Sequence, residues 1–335
     1  MRRVGPCSLL LACVVAGCGA RTTLNAPADP GARCRVTEPT VLFPGTTDVR
    51  AIAQDDGNVY WVDSGGWTID RIAKSGDAHV VLAQGEYASG LDVQDGLVYW
   101  GDATTIATVP STGGAVHELA ASNGFKWAIA VAGDVAYWTT DFETLVRRAD
   151  GSTNGAVVAD VGEQGADALA ATATDVFWVS FESAKLYRYS IANATVTTLA
   201  TPPAGQSMAV ATDGVNVYWT DLTIDGAHEM TIYRVPVTGG APTALATIAL
   251  GQCFKCWASL ATDRAFVYFT DGAEDDKGTI GKVPVTGGPV TILADHQDAP
   301  YTITVDDGCV YWSNAFGVGD PIQDYGHGTI MMAPK

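Results

Sequence analysis

Near the end of the chain, two histidines and two aspartates have the spacing best suited to binding a metal ion or transferring protons. His296, Asp320, Asp324 and His327 fall in the last two copies of a sequence repeat. A metal or acid–base site needs several such groups to converge on one point. We expect these four residues to lie in loops between strands. If those loops share a face of the fold, a divalent cation held there would make the chain a metal-dependent enzyme.

Other signatures of chemistry in the chain are weak. His117-Glu118 and His228-Glu229 begin a zinc-protease-like pair, but neither is followed by the second histidine that the motif requires. The acidic run 271–276 offers oxygen ligands without EF-hand spacing, and a solvated loop is the simpler interpretation. The chain also has no Gly-x-Ser-x-Gly elbow and no phosphate-binding glycine loop. We therefore assign no catalytic residue, no metal ligand and no cofactor, and keep a divalent cation as an alternative.

Residues 1–17 have the layout of an export signal. Two arginines precede an apolar run that is too short to span a membrane stably. The run ends in Val15-Ala16-Gly17-Cys18, which looks like a lipobox, so we expect the Cys18 thiol to carry a diacylglycerol anchor. Gly19 rather than an aspartate follows, which favours the outer membrane, and residues 18–36 form the lipidated cysteine and a flexible tether.

The composition is that of an acidic globular protein. Hydrophobic residues make up 47% of the chain, charged residues 17%, and the formal net charge is −18. Such a surface repels nucleic acids and anionic membranes. We therefore expect no nucleic-acid partner, and contact with a membrane only through the lipid anchor.

An aromatic pair recurs about every 40 residues, a period typical of β-propeller blades. Each pair lies among short apolar and β-branched segments separated by turn residues, four strands per repeat. Adjacent strand residues point to opposite faces, so each blade presents one aromatic to each neighbour. The copies are Tyr60-Trp61, Tyr99-Trp100, Tyr137-Trp138, Phe177-Trp178, Tyr218-Trp219, Tyr268-Phe269 and Tyr311-Trp312.

These copies predict an all-β fold, a seven-bladed β-propeller of four-stranded antiparallel blades over residues 37–335. Residues 330–334 match the third strand of a repeat, so the last blade lacks its outer strand. Residues 39–43 resemble a fourth strand, and we expect this N-terminal strand to close the ring by completing blade seven. Closure hides open sheet edges and ties down both ends, and we expect a monomer.

Four cysteines remain for disulfides once Cys18 carries lipid, an even set in an oxidising compartment. Ring closure places Cys34 and Cys309 together at the bottom of blade seven, where a bond would clamp the ring. Cys253 and Cys256 lie in the loop between blades five and six and would form the second disulfide. A redox role for this CxxC is disfavoured because no thioredoxin-like pattern surrounds it, and no second CxxC completes a zinc site.

One repeat carries a motif known from a propeller family. Tyr218-Trp219-Thr220-Asp221 is a complete YWTD tetrapeptide, and the pairs at Tyr60, Tyr99 and Tyr268 are followed by close variants ending in aspartate. The chain therefore resembles the YWTD-type propellers of lipoprotein-receptor ectodomains and bacterial lipoproteins built on similar repeats, over about residues 38–335. The resemblance implies an extracytoplasmic protein-binding propeller and carries over no catalytic residue.

The innermost strand of each repeat carries a regular three-residue pattern. Counting back from the aromatic pair gives an apolar residue, preceded in each repeat by a small one, as suits strands crowded around an axis. The residue one position earlier in the chain lies at the top rim and follows no such pattern. The rim positions are Arg50, Ser89, Trp127, Asp167, Met208, Ala258 and Tyr301, and neighbouring loops add Trp67, Tyr87, Phe125, Lys126, Phe254, Lys255 and Trp257. Large aromatics and a few charges around an opening predict a ligand-binding rim, with Arg50, Trp127, Asp167, Met208, Trp257 and Tyr301 as its residues; otherwise the rim is simply unconstrained.

We expect an exported lipoprotein of the cell envelope that acts as a binding or scaffold propeller. Its unknown partner, a protein, peptide or glycan, would bind the top-face rim. Two alternatives stay open. One is a metal-dependent lyase, lactonase or hydrolase, which rests on fold-level analogy. The other is a structural envelope component.

Overall fold

The computed structural model describes residues 34–121, 128–140, 145–149, 155–160, 166–180, 183, 185–202, 205–223, 228–250, 258–272, 278–314 and 328–335. The regular structure in these ranges is β-strand. No helix within them is long and apolar enough to cross a membrane.

The strands, numbered in chain order, are mostly four to eight residues long. They are β1 (Thr40–Thr46), β2 (Val49–Gln54), β3 (Asn58–Asp63), β4 (Thr68–Ala73), β5 (Val80–Gln84), β6 (Gly90–Gln94), β7 (Leu97–Gly101), β8 (Thr105–Pro110), β9 (His117–Ala121), β10 (Ile129–Ala132), β11 (Val135–Thr139), β12 (Leu145–Arg148), β13 (Ala156–Asp160) and β14 (Ala166–Ala171). The second half comprises β15 (Asp175–Ser180), β16 (Leu186–Ser190), β17 (Thr195–Ala200), β18 (Val210–Thr212), β19 (Asn216–Thr223), β20 (Glu229–Pro236), β21 (Thr243–Ala249), β22 (Leu260–Thr262), β23 (Phe266–Asp271), β24 (Gly278–Pro284), β25 (Thr291–Gln297), β26 (Pro300–Val305), β27 (Cys309–Asn314) and β28 (Gly328–Pro334).

The described strands form seven four-stranded sheets, each an antiparallel meander. Blades one to six use consecutive strands, from β2–β5 to β22–β25, and blade seven has the order β26, β27, β28, β1. The first strand of each blade contacts the first strand of the next, and β26 contacts β2, so these inner strands make a closed ring. An all-β propeller with four-stranded antiparallel blades is therefore confirmed.

The N-terminal strand closes the ring. Strand β1 pairs antiparallel with β28, with Thr40 opposite Met332 and Thr46 opposite Gly328. The N-terminus thus supplies the outer strand that the C-terminal blade lacks. This pairing confirms the closure predicted from residues 39–43 and 330–334.

The recurring aromatic pairs form the cores between blades. In each inter-blade cluster the first aromatic of one blade packs with the second aromatic of the next, as Tyr60 does with Trp100 and Tyr311 with Trp61. The remaining clusters repeat this arrangement around the ring. The rings are almost completely buried, and an aromatic buries more apolar area than other side chains. The pairs therefore hold adjacent blades together rather than forming a binding stripe.

A hydrogen bond from a tyrosine to an aspartate fixes the turn between the first and second strands of four blades. In blade one, Tyr60 Oη donates to Asp55 Oδ2 at 2.6 Å, and Asp55 Oδ1 accepts the backbone N–H groups of Gly57 and Asn58. The same bond joins Tyr218 to Asp213, Tyr268 to Asp263 and Tyr311 to Asp306. In blade four the aspartate is replaced by Thr172 and the tyrosine by Phe177. Blades two and three keep the tyrosine but have Gln94 and Ala132 in place of the aspartate, so the bond is a feature of four blades.

The bottom face carries the covalent closure of the ring. Cys34 and Cys309 form a disulfide whose Cα atoms lie 5.0 Å apart, as predicted. Arg35 Nε donates to the Lys74 carbonyl at 2.6 Å, and Lys74 Nζ donates to Asp306 Oδ2 at 2.6 Å. The disulfide therefore fixes the N-terminal segment to blade seven, and the Lys74–Asp306 ion pair joins blade seven to blade one. Residues 34–36 already belong to the folded unit.

Candidate functional site

A cavity of about 240 Å³ lies among the inner strands, lined by every blade. Three successive residues at or just before the start of each inner strand line the cavity wherever their side chains are described, in the register predicted from sequence. The apolar level consists of Ile52, Leu91, Ile129, Leu169, Val210, Leu260 and Ile303, and the small level of Ala51, Gly90, Ala128, Ala168, Ala209, Ser259 and Thr302. The outer level contributes Arg50, Ser89, Met208, Ala258 and Tyr301. We call this outer level the channel mouth.

Crowding around the axis explains the small level. A Cβ placed on Gly90 would lie 3.0 Å from the backbone nitrogen and Cγ2 of Ile129 in the next blade. Distances that short are tighter than ordinary van der Waals contact, so this position cannot take a larger side chain without movement. The strands therefore lie too close together at the small level for large side chains. Large side chains of different types occur at the mouth instead.

The mouth carries a partly buried cation, Arg50, flanked by an anion and an aromatic ring. Arg50 Nη2 lies 2.7 Å from Asp48 Oδ2, and the guanidinium carbon lies 6.0 Å from the ring centroid of Tyr301. Burial by itself lowers the pKa of Arg50, but the Asp48 carboxylate and Tyr301 outweigh it, so the pKa is raised above its ordinary value. Arg50 is therefore a permanent positive charge held in a fixed position beside an aromatic face.

Some predicted rim residues cannot be placed. Trp127 and Trp257 lie outside the described residues, as do Phe125, Lys126, Phe254 and Lys255. Asp167 occupies a position in β14, the inner strand of blade four, and its side chain is not described. Three of the six predicted binding residues, Arg50, Met208 and Tyr301, are thus brought to one opening.

The export signal, Cys18 and the Cys253–Cys256 pair also lie outside the described residues, and they stay predictions. So do His327, Asp320 and Asp324. His296 lies within β25 rather than in the loop expected for it. Among the described residues, no group of three or more histidine, cysteine or acidic side chains has the geometry of a metal site.

One acidic residue inside the ring was missed by the sequence analysis. Asp92 follows Leu91 on β6, where the other blades have alanine or threonine. Its Oδ2 accepts the N–H of Val131 from the neighbouring blade at 2.7 Å, and its Oδ1 accepts the N–H of Val93 at 2.8 Å. Burial raises the pKa of this carboxyl. Aligning the inner strands would have revealed it as the one carboxyl at that level of the repeat.

In blade one, both carboxylate oxygens of the aspartate that ends the YWTD-like tetrapeptide accept hydrogen bonds. Asp63 accepts the backbone N–H groups of Thr47 at 2.9 Å, Asp48 at 3.0 Å and Gly66 at 3.1 Å, and also the Thr47 hydroxyl. It therefore ties two top-face loops together close to the mouth.

The same position in blade five is different. Asp221 is 5% exposed, and its Oδ1 is a buried atom for which the described structure offers no hydrogen-bond partner. Burial raises the pKa of Asp221 to about 6. The preceding loop presses on it at Gly205, where φ is 135° and a Cβ would overlap with Asp221 Oδ1. The nearby Trp219 Nε1 is also buried and unpartnered, whereas the equivalent Trp312 Nε1 donates to Asn314 Oδ1 at 3.2 Å.

The fold of this chain is similar to the folds of several solved structures. A structure described as that of U3-55K superposes with a TM-score of 0.68 at 10% identity, covering 89% of this chain and 98% of the other. The crystal structure of RRP9 WD40 repeats gives a TM-score of 0.67 at 11% identity over 89% and 97% of the two chains. A nidogen/laminin complex gives 0.45 at 15% identity over 81% and 84%. No protein-family model matches the chain, and no curated protein matches it. The first two likenesses support the propeller fold and, at such identity, nothing finer.

Proposed function

We propose that this chain is a non-enzymatic binding propeller that engages a protein, peptide or glycan across its channel mouth. One observation carries the proposal. Two of the three levels of the channel repeat almost unchanged in all blades, whereas the outermost level holds arginine, methionine and tyrosine beside serine and alanine. Fold requirements explain the repeated levels, and they do not explain the mouth.

The size of the cavity favours a ligand that lies across the mouth. Pockets that enclose drug-sized ligands have volumes of about 300–1,000 Å³, and this cavity has about 240 Å³. Its deeper levels offer small and apolar side chains. A larger partner would place one side chain or one sugar in the opening and rest the remainder on the top face, where Arg50 and Tyr301 present fixed charge and aromatic surface.

We further propose that the propeller belongs to the YWTD type and is held in the cell envelope, at the outer membrane, by lipid on Cys18. The lipobox-like sequence and the complete tetrapeptide at 218–221 motivate this. The Cys34–Cys309 disulfide is in keeping with an oxidising compartment outside the cytoplasm.

Lipidation is tested by producing the full chain in a bacterial host and labelling it with an alkyne fatty acid. Label on the wild-type chain and none on Cys18→Ala supports the anchor, with Cys34→Ala as the matched cysteine control. Equal label on the wild type and Cys18→Ala contradicts it.

Binding at the mouth is tested by capture from solubilised envelope and identification of the captured molecule. The partner is then titrated against wild type and an Arg50→Ala/Tyr301→Ala variant. Loss of affinity in the variant, with unchanged thermal unfolding, supports the mouth. Unchanged affinity places binding elsewhere and overturns the proposal.

A further inference from the structure

A second cavity lies on the bottom face, where the ring closes between blade seven and blade one. Its volume is about 380 Å³, within the range of about 300–1,000 Å³ of pockets that enclose small ligands. The channel cavity falls below this range. The walls of the second cavity come from the N-terminal segment at Arg35, from two turns of blade one at Asp56 and Ser75, and from the first turn of blade seven at Asp307. We call it the closure cavity.

The floor of the closure cavity is a network whose polar groups already have partners. Lys74 Nζ donates to Asp306 Oδ2 at 2.6 Å and to Gln54 Oε1 at 2.7 Å. Asp306 also accepts a tyrosine hydroxyl and two backbone N–H groups of its own turn. The same kind of ion pair joins Lys335 to Asp263 between blades seven and six. The floor therefore belongs to the framework of the propeller.

The rim of the closure cavity carries charges that the described residues do not pair. Arg35, Asp56 and Asp307 line the cavity and are exposed. The ion pairs of the described residues join other groups, so neither carboxylate lies within ion-pair distance of the guanidinium. The cavity thus separates one positive charge from two negative charges. A ligand lying between them can interact with both.

Arg35 is held in place at its side of the cavity. Its Nε donates to the Lys74 carbonyl at 2.6 Å, and the preceding residue, Cys34, is bonded to Cys309. Among the described residues, only the Nε of this guanidinium has a hydrogen-bond acceptor. Its two terminal nitrogens are therefore available to a carboxylate, which a guanidinium binds through two parallel hydrogen bonds. Fixing the arginine before binding reduces the entropy that binding costs.

The fold does not require the two rim carboxylates. Asp56 and Asp307 each follow an aspartate that accepts a tyrosine hydroxyl, and they occupy the same position of their turns. Blades five and six have the same tyrosine–aspartate bond, with Gly214 and Arg264 at that position. The turn thus forms without a carboxylate there. Both blades that border the closure cavity nevertheless have one.

We propose that the closure cavity binds a small zwitterion with a carboxylate and an ammonium group, the chemistry of a free amino acid. The carboxylate pairs with Arg35, and the ammonium group lies toward Asp56 and Asp307. A simple anion would meet two carboxylates, and a simple cation would meet the guanidinium, so each is a poorer ligand. The site is separate from the channel mouth. Because its residues come from three segments that meet where the ring closes, a bound ligand stabilises the closed ring.

The probes are the standard amino acids, each tested at millimolar concentration by thermal unfolding of the purified mature chain. Those that raise the melting temperature are titrated by calorimetry. Acetate and methylammonium carry one charge each, and triglycine carries both charges at the ends of a peptide. The variants are Arg35→Ala, Asp56→Asn and Asp307→Asn. The matched controls lie outside the cavity: Arg264→Ala removes an exposed arginine, and Asp95→Asn changes the same turn position in blade two.

We expect at least one amino acid to bind the wild type and both controls equally, and to bind Arg35→Ala and Asp307→Asn about tenfold more weakly. Acetate and methylammonium should bind more weakly than the amino acid. Tighter binding of triglycine than of any amino acid would assign the same chemistry to a short peptide. Absence of binding by every zwitterion, equal affinity of Arg35→Ala and Arg264→Ala, or acetate binding as tight as that of the amino acid would overturn the proposal.

The channel-mouth variant separates the two sites. Arg50→Ala/Tyr301→Ala should bind the amino acid as tightly as the wild type does, because both residues lie at the mouth. Thermal unfolding without ligand checks that Arg35→Ala is folded, since this variant loses a bond at the ring closure. Asp307→Asn changes an exposed side chain, and it decides the test if Arg35→Ala fails to fold.

Discussion

Replacing Asp221 by asparagine should stabilise the propeller at neutral pH, although it alters the complete YWTD tetrapeptide. Asp221 Oδ1 is buried without a partner, and the pKa of the carboxyl is raised to about 6. The folded chain therefore holds this proton more tightly than the unfolded chain does. The resulting stabilisation is fully present below about pH 3.8 and is lost as pH rises through about 6.

The magnitude follows from the size of the pKa change. A rise from 3.8 to about 6, at about 1.36 kcal/mol per pKa unit, makes the ionised carboxylate cost up to about 3 kcal/mol at pH 7.5. Asparagine removes this cost but buries an amide N–H₂, which offsets about 1–2 kcal/mol if it finds no acceptor. We expect a net gain of about 1–2 kcal/mol.

Urea unfolding between pH 4 and 8 measures this effect. The wild type should lose stability relative to Asp221→Asn as pH rises through 6, and the two should converge near pH 4. The matched control is Asp63→Asn, the same tetrapeptide position with a carboxylate that accepts three backbone N–H groups. It should lose about 2–3 kcal/mol at pH 7.5, since charge-assisted bonds are weakened. If Asp221→Asn is less stable than the wild type at pH 7.5, the reasoning from an unpartnered carboxylate is refuted.

Three further variants test the fold. Replacing Cys34 and Cys309 by alanine should lower the free energy of unfolding by about 2–5 kcal/mol, because the disulfide closes a loop between residues 275 apart. Dithiothreitol should then destabilise the wild type in guanidinium more than the variant, which keeps only the predicted Cys253–Cys256 bond, and an equal effect on both would contradict the clamp. Tyr60→Phe should cost about 1–2 kcal/mol in urea unfolding through loss of its bond to Asp55, and a neutral result would show that the hydroxyl is not needed. Gly205→Ala should lower the melting temperature by several degrees, since its Cβ would overlap with Asp221 and its φ is 135°; an unchanged melting temperature would contradict the close approach.

The sequence predicts the framework because blade packing repeats. The aromatic pairs, the closing strand and the Cys34–Cys309 bond all follow from the period and from where the chain begins and ends within it. The three-residue register of the channel follows too, since crowding acts alike on every inner strand. Gly90 shows that constraint directly.

The sequence does not predict how each blade uses its loops. Asp63 and Asp221 occupy the same motif position, but the loop before the inner strand donates N–H groups to Asp63. In blade five the corresponding loop approaches Asp221 at Gly205, and Asp221 Oδ1 still has no partner among the described residues. The left-handed conformations of Trp67 and Tyr87 carry no sequence signal, because glycine or asparagine is the usual residue there. Such features depend on tertiary contacts between non-repeating segments.

A paired comparison of variants on opposite faces tests the proposed binding at the channel mouth most directly. Arg50→Ala/Tyr301→Ala removes charge and ring from the mouth, and Arg264→Ala/Val215→Ala removes an exposed arginine and an exposed apolar side chain from the inner-hairpin turns of the other face. Each is titrated with the envelope partner captured by the wild-type protein. We predict at least a tenfold loss of affinity for the first variant and no loss for the second. Equal affinity of the two variants, or loss confined to the second, would contradict binding at the mouth.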